Sequence, residues 1–134
     1  IQVIAVMAKG DCHQLEKLMT SFFASIHYNQ SRKDDEREKE RYFQYTFYLA
    51  LRMISCFTVF IEKQQSEGRV DCVVETPNYI YIFEFKRDGS AEEALKQIEN
   101  MGYAREYAAD GRKIYQIGCN FSSKTGTIDG WEMK

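Results

Sequence analysis

Between Asp11 and about Ile26, apolar residues recur with helical spacing: Leu15, Leu18, Met19, Phe22, Phe23 and Ile26 fall three and four apart. That spacing gathers them on one stripe and predicts an amphipathic helix with His13, Gln14, Glu16 and Lys17 on its polar side. The run NQSRKDDEREKER, residues 29–41, breaks the pattern. It reads as a charged loop leading into a second helix, with Asp and Glu concentrated where a helix N-terminus favours negative charge. The second helix continues through YFQYTFYLALRMIS and is apolar nearly all round, as a helix packed on a sheet would be. A strand near CFTVFIE follows, then a polar connection, KQQSEG.

The next stretch, GRVDCVVETPNYIYIFEFKRDG, residues 68–89, holds two β-rich apolar runs meeting at Pro77-Asn78. Proline cannot take the positive φ that two-residue hairpin turns require there, so a four-residue loop around a type I turn is expected. An even loop centred on Pro77-Asn78 pairs Thr76 with Tyr79, and the same register carries Asp71 to a position directly opposite Glu84. Directly opposite residues share a face, with Cβ atoms about 4.5–5.5 Å apart. Lys86 projects from that face too, because strand side chains alternate with period two. Three charges thus converge at one end of an apolar hairpin.

Beyond it, SAEEALKQIENMGYAREYAADG opens with Ser90 and Glu93 in capping-box spacing and is expected to close at Gly111, a helix of about five turns. KIYQIGCNF reads as a buried strand, and TGTIDGWEMK as a further edge strand. Helix, strand, hairpin, helix, strand predicts an α/β fold, a mixed β-sheet with helices packed on it.

The 134 residues suit one domain, read as a helical lead-in over 1–34 and a core over 35–134. With 44% hydrophobic residues the composition is that of a folded protein, and no apolar run approaches the roughly 18 residues of a membrane span. No basic flank precedes IQVIAVMAKG, so a secretory signal is not expected, and the initial Ile suggests a piece of a longer chain. Cys12, Cys56, Cys72 and Cys119 are scattered without a C-x-x-C pair, which fits a reduced, cytoplasmic protein. The net charge of −2 gives no global basic field, so any nucleic-acid contact has to come from a local patch.

Two carboxylates within about 5 Å repel, and keeping both ionised near an apolar core costs several kcal/mol unless a cation sits between them. A divalent ion held by one Asp and one Glu, with other positions left to water and phosphate, is how Mg²⁺ is usually bound. Lys86 beside them could neutralise developing phosphorane charge or handle the attacking water's proton. On spacing alone, a salt-bridge cluster at a sheet edge accounts for the three charges equally well.

GRVD, a hairpin, FEFK and a helix bearing Gln97 resemble the PD-(D/E)xK nuclease superfamily, with Asp71 as its aspartate and Glu84-Phe85-Lys86 as its E-x-K. The order GRxD, IYxFEFK, S-x-EEAxxQI, GYA and GRKIYxIGxNFS over residues 68–123 is similar to the nuclease-like domain found C-terminal to an AAA-ATPase-like domain in bacterial proteins. The resemblance implies a restriction-endonuclease-like fold and Mg²⁺-dependent hydrolysis of DNA, with Mn²⁺ as a substitute and an ATPase-like domain earlier in the same chain. It implies Asp71, Glu84 and the Phe85 carbonyl as metal ligands, Lys86 as the catalytic lysine and Gln97 as a site residue. Gln97 is expected on a helix face with Ala94, Met101, Ala104 and Ala108. Glu40, in phase with Phe43, Phe47, Leu51 and Ile54, is a candidate helix glutamate for the site. Tyr103 reads as core, and His13 and His27 as surface residues. Relatives of this fold also include inactive ones, so a non-catalytic interaction or nucleic-acid-sensing module is the competing reading. No G-x-x-x-x-G-K-[ST] occurs, so a nucleotide-triphosphate site is not expected in this chain.

Overall fold

The computed structural model of the chain describes residues 2–26, 42–50, 58–65 and 68–134. Five strands form one sheet in the order β1 (Thr58–Gln65), β2 (Gly68–Glu75), β3 (Tyr79–Arg87), β4 (Lys113–Ser122) and β5 (Thr127–Met133). Neighbours are antiparallel except β3 and β4, which run parallel and are joined through a helix. A mixed sheet with flanking helices is the α/β architecture of a restriction-endonuclease-like fold.

The expected hairpin register holds from Glu75–Ile80 to Cys72–Phe83. Thr76 closes the turn twice, its N–H donating to the Tyr79 carbonyl at 2.8 Å and its hydroxyl accepting from the Tyr79 N–H at 2.9 Å. β1 is longer than the apolar run that predicts it, since Lys63, Gln64 and Gln65 pair with Val70, Arg69 and Gly68. KQQ is therefore strand, not connection. β1 lies at the sheet edge, where polar and charged residues are common. β5 is the expected edge strand on the other side.

The apolar N-terminal patch is a short helix, α1 (Gln2–Lys9), with Val3 and Met7 buried four residues apart. α2 (Cys12–Ala24) falls where the periodicity puts it, capped by the Asp11 carboxylate, which accepts from the Gln14 N–H at 3.1 Å. Helix α3, residues 42–50, buries Phe43, Gln44, Phe47 and Ala50 but leaves Tyr45 and Leu49 exposed, so only one side of this apolar helix packs. His27, Glu40, Leu51, Ile54 and Cys56 lie outside the described residues; His13 is exposed.

The last helix is a correction. α4 covers only Ala91–Met101 and is followed by a turn and a 3₁₀ segment, Arg105–Tyr107, so it does not reach Gly111. Gly102 takes φ 65°, its N–H bonds to the Glu99 carbonyl, and the Tyr103 N–H reaches back to the Ile98 carbonyl. Those two bonds satisfy the last free carbonyls and end the helix early. Ala104 and Ala108 consequently lie beyond α4 and Met101 is exposed, so the expected apolar stripe around Gln97 reduces to Ala94 and Ile98.

Helices α1, α2 and α3 cover one face of the sheet, over a core that includes Phe23, Phe43, Phe47, Phe83 and Phe121. α4 covers the other, over Val73, Ile80, Ile82 and Ile98. Phe43 stacks on Phe121 with ring centroids 4.6 Å apart. Burying each such ring contributes about 1.5–3 kcal/mol, enough to pin α3, and Gln44 with it, against the sheet. Cys12, Cys72 and Cys119 are free and buried, and burial raises all three thiols. They serve as small hydrophobes. Among the described residues, no helix is long and apolar enough to cross a membrane.

Candidate active site

Alternation along β3 sends Glu84 and Lys86 to the α4 side of the sheet with Ile80 and Ile82, and alternation along β2 sends Asp71 there with Val73. One position past Cys72–Phe83 the side chains join the strand hydrogen bonding. The Asp71 N–H donates to Glu84 Oε1 at 3.3 Å, and the Phe85 N–H donates to Asp71 Oδ2 at 2.9 Å. Each acid thus holds the other's strand. This is how a buried hairpin accommodates them.

Glu84 is only 3% exposed. Burial first, and the charge of Asp71 second, push its carboxyl up to about 9, while Lys86 pulls in the opposite direction.

Gln97, on α4 above the sheet, links Glu84 to Lys86. Its Nε2 donates to Glu84 Oε2, and its Oε1 accepts from Lys86 Nζ at 2.6 Å. An ammonium can only donate, so the amide oxygen has to face Lys86. The Tyr103 hydroxyl shares a further hydrogen bond with the Gln97 amide, and burial raises its pKa. Tyr103 is core, as expected, but its polar end belongs to this network. From the opposite face Gln44, 8% exposed, donates its Nε2 to the Asp71 carbonyl at 3.2 Å.

A cleft of about 200 Å³ opens at this end of the sheet, lined by Asp71, Glu84, Lys86 and Arg87 with Gln44 and aromatic side chains. Asp71, Glu84, Lys86 and Gln97 therefore come together as the sequence led one to expect. Phe85 contributes its N–H to the pair. Glu40 lies outside the described residues. Gln44 was missed; the one available signal was a lone amide between Phe43 and Tyr45 on an apolar helix. Among the described residues no three of His, Cys, Asp and Glu gather as a metal cage. Two carboxylates at an open cleft suit a hard divalent cation that keeps several waters.

A family model of the PD-(D/E)XK nuclease superfamily matches residues 38–131. The chain belongs to this superfamily. Asp71 and Glu84-Phe85-Lys86 lie within the matched residues. A protein of Azotobacter chroococcum mcd 1, described as an uncharacterized protein in the vnfD 5′ region, is 32% identical over 132 residues. The match takes in 97% of this chain and 25% of that protein, so the chain spans a quarter of its relative's length. No solved structure matches significantly.

Proposed function

We propose that this PD-(D/E)XK domain hydrolyses phosphodiester bonds of DNA, with Asp71, Glu84 and the Phe85 carbonyl holding Mg²⁺, or Mn²⁺ in its place. One observation carries the reading: two acids from adjoining strands, each accepting a backbone N–H from the other's strand, line one cleft with Lys86 at the edge of a core. Two acids so close are unfavourable when both are ionised, and a divalent cation between them resolves it. When bound, the ion supplies Lewis-acid polarisation of the phosphate and a more acidic water.

The chain's own groups do the rest. Asp71 and Glu84 fix where the charge sits, each held by a backbone N–H of the other strand's segment. Lys86, in the cleft and tethered to Gln97, stabilises negative charge growing on the phosphate oxygens or accepts the proton of the attacking water. Gln97 keeps acid and ammonium apart at a fixed spacing. Gln44 anchors the Asp71 backbone from the other face. Glu40, four residues before Gln44 in the sequence, is proposed as an additional acid of the site. The longer protein is proposed to be cytoplasmic and to carry an ATPase-like domain N-terminal to this one.

The test is cleavage of single-stranded, duplex and branched DNA with Mg²⁺ or Mn²⁺. Lys86→Ala should lower cleavage by at least about 10²-fold while metal binding, followed by calorimetry, stays intact or tightens as a positive charge is removed. Lys86→Arg should rescue only in part, because a guanidinium cannot act as a base near neutral pH. Absence of cleavage on every substrate, with metal bound and the rest of the longer chain supplied, would favour a non-catalytic module that docks a partner or senses nucleic acid.

A further inference from the structure

Five basic residues stand near the site in the sequence: Arg69, Arg87, Lys96, Arg105 and Lys124. Their surroundings differ. Lys96, Arg105 and Lys124 are exposed and away from the cleft lining, and the side chain of Arg69 lies outside the described residues. Arg87 lines the cleft with Asp71, Glu84 and Lys86, and its side chain is only 11% exposed.

Strand alternation turns Arg87 to the opposite face of β3 from Lys86, so the cleft has a cation on each side of the strand's end. A cleft touched by both faces has to open where the sheet ends. Arg87 is also held still. Its guanidinium donates to Asp88 Oδ2 at 3.1 Å. Asp88 in turn accepts from the Ser123 N–H at 2.9 Å and the Ser123 hydroxyl at 2.5 Å, and its own N–H bonds to the Phe121 carbonyl at 2.9 Å. Its φ of 54° is a left-handed conformation that Asp tolerates better than most residues. The next residue is fixed as well, the Gly89 N–H donating to the buried Asn120 Oδ1 at 3.0 Å. A guanidinium on so rigid a corner loses little freedom when it grips an anion, and its planar fork matches phosphate geometry.

We infer that Arg87 holds the phosphodiester backbone of the substrate, gripping a phosphate that flanks the reacting one on the side of β3 opposite Lys86; this rests on the nuclease reading above. The nucleic-acid strand then crosses the end of the sheet instead of lying along one face. Arg87 sets position and strength of binding, Lys86 the chemistry.

Binding is measured by fluorescence anisotropy of labelled single-stranded and duplex oligonucleotides over a salt series, with Ca²⁺ replacing Mg²⁺. Arg87→Gln is expected to weaken binding at least about 10-fold and to flatten the dependence of log affinity on log salt by about 0.7–0.9, the worth of one phosphate contact. Arg87→Lys should keep the slope, since the charge remains, and lose part of the affinity with the fork. Calorimetric metal binding should be unchanged in both variants. A purely packing role for Arg87 predicts the reverse, with Lys losing as much as Gln and metal binding falling too. In the wild-type protein, where folding is not in question, the Arg87 Nε–H resonance should shift on adding oligonucleotide. An unmoved resonance, or equal salt slopes for wild type and Arg87→Gln, overturns the inference and leaves the nuclease reading standing. Failure of the wild type to bind any oligonucleotide overturns both.

Discussion

Gln97 serves two chemically opposite neighbours with one amide, donating a hydrogen bond to Glu84 and accepting one from Lys86. Its removal should therefore be felt in the reaction more than in the fold. Gln97→Ala is expected to cut cleavage by about 10-fold or more through a misplaced Lys86, with metal still bound. Asp71→Asn separates a metal site from the salt-bridge cluster that spacing alone allows. If the acids form a metal site, Asn removes an acidic charge that has no cation beside it in the metal-free protein, so the metal-free melting temperature should rise or hold while the Mg²⁺-induced increase disappears. If they only pair with Lys86, the same change should lower the metal-free melting temperature. Asp71 and Glu84 were legible in the sequence because a proline-bearing turn sets the hairpin register, and register alone decides which residues face one another. Gln44 was not, because its partner is a backbone carbonyl 27 residues away, and no local pattern encodes that meeting.

Elements meet at this site through close approach of backbone. At Gly118, on β4, an added Cβ would overlap the Ala91 carbonyl and come within 2.5 Å of the Leu95 nitrogen, both backbone atoms of α4 that cannot swing aside. Gly118 is thus what lets α4 lie low enough for Gln97 to reach Glu84. Gly118→Ala should cost about 1–3 kcal/mol in urea unfolding, as overpacking does, and should lower cleavage by lifting Gln97 away from its partners. Gly102→Ala is the contrasting change. It strains a left-handed C-terminal turn, costs about 1 kcal/mol, and should leave cleavage by the folded protein nearly intact. The strands were readable from their β-rich runs, but the end of α4 was not, since Gly102 and Gly111 both take positive φ and the residues between them suit a helix. The choice falls to hydrogen bonds made with Ile98 and Glu99, which composition does not announce.

For the whole molecule, the site couples folding to protons and metal. The Glu84 carboxyl lies near 9 when folded against an ordinary 4.5, so between those values the native state holds a proton that the unfolded chain has released. Stability rises with pH only where the unfolded state binds more protons; here the native state does, so this group's contribution is complete below pH 4.5 and is lost as pH climbs toward 9. In EDTA the melting temperature should carry a downward component from about pH 5 to pH 9, and Glu84→Gln, which cannot ionise, should lack it. A divalent cation has to displace the same proton, so metal binding gains as pH rises through this window. The Mg²⁺-induced increase in melting temperature should accordingly be larger at pH 8 than at pH 6, and calorimetry in buffers of different ionisation enthalpy should register up to about one proton released per ion bound at the lower pH. Parallel pH profiles for wild type and Glu84→Gln in EDTA would mean that Glu84 is ionised without metal. The strain that a cation is proposed to relieve would then be absent.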